Sequence, residues 1–396
     1  MKRSPRRRGK IVALVSVFAV GVQIPAVVTI GHLLGHQLWS LAGAALLTLP
    51  FLFSPGGALR NPFQHQRPSR AQMYGVMWPF YLWWTICLTY LLFALPALLI
   101  AALTRVSLDQ ALVVAGVLSI IAGTAALRRR PRIVTHGIAI ADLSPELEGY
   151  RIVQLTDLHC GPFTPPARIR RWVERANALE PDLIAVTGDL ITSGAEYVER
   201  VAEELGGLRA PDGVVGCMGN HDYFTDGEVL ARALEQHGMQ VLRNRGLTIS
   251  RGGGRLYVAG VDDTWTGRND VPAALRGRPA AVPTILLAHD PDLFVEAVAQ
   301  GVDLTISGHT HGGQLAVPGA TRQWNLARIV TRFTAGLYHE GRSTLYVSRG
   351  LGTTGPPVRL GARPEITVLR LQRAHVTEAP MHALAEEVIR DASGVA

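Results

Sequence analysis

The sequence predicts an α/β layered domain preceded by an all-α transmembrane region, and three observations carry that prediction. Charge is split unevenly: residues 1–132 hold 14 of the 39 Lys/Arg and a single acid, Asp109, for +13, whereas residues 133–396 hold 25 against 30 acids, or −5. The same N-terminal third contains four long runs almost free of charge. From Ile133 on, short β-branched runs alternate with amphipathic segments, the pattern of stacked sheet and helix layers.

The apolar runs are 11–34, 38–53, 74–103 and 108–127, and about 20 residues are needed to cross a bilayer. The second is the shortest. Buried core helices do not explain them, because a soluble domain does not string four such runs together with almost no charge inside. A cleavable signal peptide is also a poor fit: the first run is too long, lacks a clear small-x-small exit and is followed by further spans.

Positive charge sets the expected orientation. Lys2, Arg3, Arg6, Arg7, Arg8 and Lys10 precede the first run, Arg60, Arg67 and Arg70 separate the second from the third, and Arg128, Arg129, Arg130 and Arg132 follow the fourth. The other two connections hold only Arg105. All three basic segments are cytoplasmic only if there are four spans, which puts the C-terminal domain in the cytoplasm against the inner or cell membrane; if 38–53 fails to span, that domain faces outward. Three cysteines, Cys87, Cys160 and Cys217, offer no paired framework, which suits a reducing compartment. The expected organisation is a transmembrane region over 1–132, an α/β layered domain over 133–373 and a tail over 374–396.

Within the second part, strands are expected at Arg151–Thr156, Asp182–Thr187, Gly213–Met218, Arg255–Val261, Pro283–Ala288, Val302–Ile306, Thr344–Ser348 and Glu365–Leu371. Helices are expected at Pro166–Leu179, opened by proline, and Glu196–Leu205. Gly252-Gly-Gly254 reads as a turn.

Five of these strands end in side chains able to bind metal. They are followed by Asp157-Leu-His159, Gly188-Asp189, Gly219-Asn-His-Asp222, His289 and Gly308-His-Thr-His311. Residues beyond the carboxyl ends of strands in layered α/β folds gather in one crevice, so Asp157, His159, Asp189, Asn220, His289, His309 and His311 are candidates for a single site. Seven ligands exceed one ion but suit two, about 3.5–4 Å apart and bridged by a carboxylate, for which Asp189 is the natural choice. Carboxylate, amide and imidazole without thiolate favour Mn²⁺, Fe or Zn²⁺.

In order and spacing, these motifs resemble the signature of the calcineurin-like binuclear metallophosphoesterases. The Gln-Leu-Thr-Asp-Leu-His opening, the Gly-His-Thr-His-Gly-Gly-Gln run and Val347-Ser-Arg-Gly-Leu-Gly-Thr-Thr354 are similar to the membrane-associated YkuE/YaeI-like subgroup. The resemblance covers about residues 133–371 and implies a two-sheet sandwich flanked by helices. It implies one ion on Asp157, His159, Asp189 and His311 and a second on Asp189, Asn220, His289 and His309. It further implies that His221 is a general acid or transition-state stabiliser beside the leaving oxygen, with Asp222 orienting its ring. Tyrosine-ligated purple acid phosphatases carry a Tyr three residues after the bridging Asp; Thr192 stands here, so an Fe(III)–tyrosinate centre is not expected.

The reading that follows is a membrane-anchored two-metal phosphoesterase, cleaving phosphate ester or pyrophosphate bonds by attack of a metal-bound hydroxide, with a phosphorylated and lipid-linked substrate as the economical partner. A nuclease or cyclic-nucleotide phosphodiesterase of the same chemistry is the alternative within enzymes. The −5 charge of the soluble part argues against extended nucleic acid, whose binding depends on neutralised phosphates. A non-catalytic membrane scaffold is the alternative outside them, and its expected mark, a lost ligand, is absent from the motifs. Cys160 and Cys217 read as small buried fillers, His32 and His36 as interfacial polar residues, Arg168–Arg175 as a solvated basic face, and Arg349 as a candidate contact to substrate phosphate.

Overall fold

The computed structural model describes residues 17–53, 69–127 and 130–374. The basic residues before Val17, Arg60, Arg67, Arg128, Arg129, the start of the first apolar run and the tail from His375 lie outside the described residues. Four helices come first: α1 (Val17–Leu34), α2 (Gln37–Phe53), α3 (Arg70–Leu103) and α4 (Leu108–Ala126). α1, α3 and α4 are long and apolar enough to cross a membrane. The 17 residues of α2 extend about 25 Å at 1.5 Å per residue.

Local chemistry sets the helix ends. Ser107 and Gln110 form a reciprocal capping box at the start of α4, satisfying two backbone N–H groups that the first turn leaves open. Gly35 closes α1 in the left-handed conformation, φ 68°, which glycine adopts without a Cβ penalty. Inside the bundle, Gln23 Oε1 accepts from Thr48 Oγ1 at 3.0 Å and Trp83 Nε1 at 2.7 Å, tying α1, α2 and α3 together. At one end of the bundle Phe51 stacks on Phe80 with ring centres 3.8 Å apart, and Phe18 lies edge-on to Trp84. The start of α1, the end of α2 and the start of α3 therefore share one end of the bundle.

Twelve strands are described: β1 (Arg132–Ile140), β2 (Arg151–Leu155), β3 (Leu183–Thr187), β4 (Val214–Cys217), β5 (Gln240–Val241), β6 (Arg245–Arg251), β7 (Gly254–Gly260), β8 (Thr284–Leu287), β9 (Leu304–Ser307), β10 (Gly336–Glu340), β11 (Ser343–Val347) and β12 (Glu365–Arg373). They form two six-stranded mixed sheets, ordered β1-β12-β2-β3-β4-β5 and β10-β11-β9-β8-β7-β6. The central strands β2, β3 and β4 run parallel in the first sheet, and β7, β8 and β9 do so in the second.

Period-two alternation divides the core into layers. Ile152, Leu183 and Val215 from the first sheet meet Val258, Ile285 and Leu304 from the second in one apolar cluster between the sheets. Val153, Ile184 and Val186 point the other way, onto α5 (Pro166–Asn177), α6 (Val198–Leu205) and α7 (Gly227–Gln236). Tyr257, Ala259 and Leu286 likewise meet α8 (Val271–Leu275) and α9 (Phe294–Ala299) on the outside of the second sheet. Burial on both faces explains why these strands read as near-continuous apolar runs. The architecture is the α/β two-sheet sandwich that the resemblance implied, and the eight expected strands and two expected helices fall within two residues of their observed ends.

Candidate metal centre

Asp157 and His159 follow β2, Asp189 follows β3, Asn220 to Asp222 follow β4, His289 follows β8, and His309 and His311 follow β9. Three exits come from the first sheet and two from the second, and they meet where the parallel strands of both sheets end. Buried Gln154 holds the sheets in register there, donating from Nε2 to Thr187 Oγ1 at 2.7 Å and to the Ser307 carbonyl at 2.9 Å.

The side chains form two groups joined by one carboxylate. Asp157, His159, Asp189 and His311 present donor atoms all within 4.8 Å of one another, and Asp189, His289 and His309 do the same. His159 Nε2 and His289 Nε2 lie 3.5 and 3.2 Å from Asp189 Oδ2. His311 Nε2 is 3.5 Å from Asp157 Oδ1, and His309 Nδ1 is 3.2 Å from His289 Nε2. His289 Nδ1 donates to the Thr187 carbonyl at 2.8 Å, which turns its Nε2 toward Asp189.

The backbone bends sharply to achieve this convergence. Asp157, His159, Asp189, His309 and His311 all have positive φ, between 48° and 72°, a conformation that costs residues with a Cβ and clusters at functional sites. Gly308 is required by close approach: a Cβ there would run into Thr156 Oγ1 and Asp157 Oδ2.

These residues fit divalent ions on two grounds. Asp157 Oδ2 and Asn220 Oδ1 are buried without a hydrogen-bond partner, an expensive state that a cation relieves. The protonation pattern is also that of ligands held together. Burial, with the charge of Asp189, pushes the Asp157 carboxyl up to about 7. Asp189 stays well below the usual range because the charges of His289 and His221 outweigh its burial. His289 is raised to about 10 as Asp189 overcomes burial, while burial holds the His159 and His311 imidazoles well below their ordinary value.

Residues 150–313 match the model of the calcineurin-like phosphoesterase family. A transmembrane protein with metallophosphoesterase domain from Danio rerio is 34% identical over 278 residues, covering 67% of this chain and 62% of that protein. The Bos taurus protein of that name is 35% identical over 282 residues, with the same coverage. The chain thus spans less than two thirds of both vertebrate relatives. The uncharacterized metallophosphoesterase YkuE of Bacillus subtilis is 33% identical over 243 residues, covering 60% of this chain and 84% of YkuE. This chain belongs to the calcineurin-like metallophosphoesterase family.

Two side chains make contacts other than those expected of them. The His221 ring is fixed by a 3.0 Å bond from Nδ1 to the Thr192 carbonyl, not by Asp222. The Asp222 carboxylate accepts instead from the backbone N–H groups of Gly219, Asp189, Leu190 and Ile191 at 2.8–3.3 Å, so it shapes the Asp189 loop. Arg349 is committed to Glu365, Nη1 to Oε2 at 2.6 Å, and does not offer a free guanidinium to substrate.

The other candidates have structural surroundings. Cys160 lies in the core between the first sheet and its helices, Cys217 in the core between the sheets, and both thiols are free. His32 Nε2 lies 3.0 Å from Asp109 Oδ1. Arg170 forms a forked pair with Glu204, and Arg168 and Arg175 donate to the Phe163 and Pro131 carbonyls.

Sequence reasoning missed Arg359. Its buried guanidinium donates to the Gly352 and Arg349 carbonyls and lies 3.0 Å from His311 Nδ1, bracing the loop that closes over Asp157. A lone arginine in Pro356-Pro-Val-Arg-Leu360 carries no spacing or periodicity that distinguishes it. Gln314, at the end of the histidine motif, clamps the same loop by donating to the Thr354 and Pro356 carbonyls and accepting from Thr354 N–H.

Proposed function

We propose that this protein is a membrane-anchored two-metal phosphoesterase acting on a lipid-linked phosphate ester or pyrophosphate. The observation that carries the reaction class is Asp189 shared between two donor groups, buried except for the half-buried His309. Asp157, His159, Asp189 and His311 would hold one ion, and Asp189, Asn220, His289 and His309 the other. Such a pair supplies Lewis-acid stabilisation of phosphoryl oxygens and an activated water near neutral pH.

The chain's own residues supply the remainder. Because Nδ1 of His221 is engaged by Thr192, its Nε2 is directed away from that carbonyl and lies 3.4 Å from Thr354 Oγ1. Protonated there, it delivers a proton to the leaving oxygen. Asp222 keeps the Asp189 turn in shape through its four amide contacts.

A chamber of about 570 Å³ supports the lipid link. His159, His309 and His311 line one side of it, and Phe18, Phe51, Phe80 and Trp84 from the membrane helices line the other. Its size is that of ordinary ligand sites, and its wall is apolar where a chain would lie. The catalytic domain sits against the helices through Phe163, edge-on to Trp78 and Tyr81, and through Arg359 N–H bonded to the Ala126 carbonyl at 3.1 Å. A cytoplasmic catalytic domain is part of this reading. The domain lies at the end where α1 starts, α2 ends, α3 starts and α4 ends, the end to which the three arginine- and lysine-rich segments are attached.

The test is Mn²⁺-dependent hydrolysis of paired chromogenic phosphate mono- and diesters by purified protein, beside Asn220→Ala and His221→Ala. Turnover in the wild type and collapse in both variants is expected. Wild-type turnover that survives both substitutions overturns the assignment, and equal rates on soluble nucleotides and dispersed lipid esters overturn the lipid link.

A further inference from the structure

The structure assigns a second membrane contact: we propose that the loop from Val317 to Val330 is embedded in the lipid surface and forms the outer lip of the chamber. Among the described residues of 133–374, ten large apolar side chains are exposed, and five of them, Val317, Trp324, Leu326, Ile329 and Val330, lie within these fourteen residues. Ile329 and Val330 are 84% and 81% exposed, and Trp324 is 69% exposed. Apolar side chains concentrated this way mark an interaction surface, whereas the other five are scattered singly.

Neighbouring chemistry selects lipid as the occupant. Leu326 and Ala327 line the chamber together with Phe18 and Phe80, so the loop lies beside α1 and α3, two of the helices long and apolar enough to cross a membrane. Its charge has one sign. Residues 311–339 contain Arg322, Arg328 and Arg332 and no acid, in a soluble part that is otherwise net negative. Arg322 stacks on Tyr338 with 4.1 Å to the ring centre, and Arg332 reaches Glu340 only at 3.9 Å. Tryptophan and aliphatic residues beside arginines are the composition that settles at the boundary of an anionic leaflet.

The loop is also built to hold its shape when apolar side chains enter lipid. Val317 N–H bonds the Trp324 carbonyl and Trp324 N–H bonds the Ala320 carbonyl, both at 2.9 Å. Asn325 caps the turn Leu326–Ile329 by accepting from Arg328 N–H at 3.2 Å. Backbone groups paired internally carry a smaller cost on leaving water. A lipid ester held by this lip reaches the metal centre without leaving the membrane surface.

The inference rests on the membrane anchorage in the preceding reading, not on hydrolysis, and its test needs no turnover. Cys87, Cys160 and Cys217 are buried, so an Ile329→Cys variant of the full chain takes a fluorophore selectively at that position. In nanodiscs holding one copy each, the expected result is a blue-shifted emission quenched by lipid-borne nitroxide and shielded from iodide, more strongly with phosphatidylglycerol than with phosphatidylcholine. Quenching by iodide with indifference to nitroxide lipids overturns the proposal. Shielding that develops only with two copies per disc also overturns it and gives the face to a second chain. Lipid quenching in a protein that cleaves no ester leaves this proposal standing and the hydrolase reading fallen, and the reverse result separates them the other way.

Discussion

Removing the Arg359 guanidinium should unfold the catalytic domain at a much lower temperature, even though the residue touches no expected substrate atom. Arg359 is buried, and it donates to Gly352 O at 2.6 and 2.9 Å and to Arg349 O at 2.6 Å, with His311 Nδ1 at 3.0 Å. Burial lowers its pKa only to about 10, so it is charged at neutral pH. Hydrogen bonds to charged groups contribute roughly 1.5–3 kcal/mol each, but they are not additive within one cluster. Breaking a buried charged cluster from one side costs roughly 3–5 kcal/mol, and we take about 4 kcal/mol for Arg359→Ala. At roughly 2–4 °C per kcal/mol for a domain of this size, that is a fall in Tm of about 8–16 °C. Arg359→Lys retains charge but not the planar fork, and should fall between wild type and alanine. Thermal unfolding of the full chain followed by tryptophan fluorescence, at constant Mn²⁺, reads this directly. A melt within about 2 °C of wild type for Arg359→Ala would refute the idea that this arginine braces the site.

Two further outcomes follow from the same geometry. In chelator, Asp157→Asn should melt above wild type, and the gap should widen with pH. The folded-state pKa of Asp157, about 7, lies above its ordinary value of 3.8, so the metal-free wild type loses stability as pH rises between those values while asparagine does not. Adding Mn²⁺ should reverse the order; a gap that is constant from pH 5 to 8 argues against a buried, uncompensated carboxylate. Asp222→Ala leaves four backbone N–H groups of the Asp189 turn without their acceptor and should cost about 3 kcal/mol. If Asp222→Ala instead melts as wild type and only displaces the pH–rate profile, the carboxylate acts through His221 after all.

The strands that could be read from the sequence share a physical property. Arg151–Leu155, Leu183–Thr187, Val214–Cys217, Thr284–Leu287 and Leu304–Ser307 are interior strands buried on both faces, so their sequences are almost wholly apolar. The four strands not anticipated, β1, β5, β6 and β10, are the four sheet edges. An edge pairs on one side only and is partly exposed, as the mixed burial along Arg245–Arg251 and Gly336–Glu340 shows, so polar residues interrupt its pattern.

Sequence alone determined the division into an apolar helical part and an α/β part, the family resemblance and the seven candidate ligands, because each depends on local composition or on motifs fixed to strand ends. Tertiary structure decided how those ligands group around Asp189, that His221 is set by the Thr192 carbonyl, and that Arg359 supports His311 from forty-eight positions away. It also brought Leu326 and Ala327 beside Phe18 and Phe51 in the lining of one chamber. Hydrogen-bond partners and shared cavities depend on which chain segments the two sheets and the helices bring into contact, and no spacing along the chain encodes that.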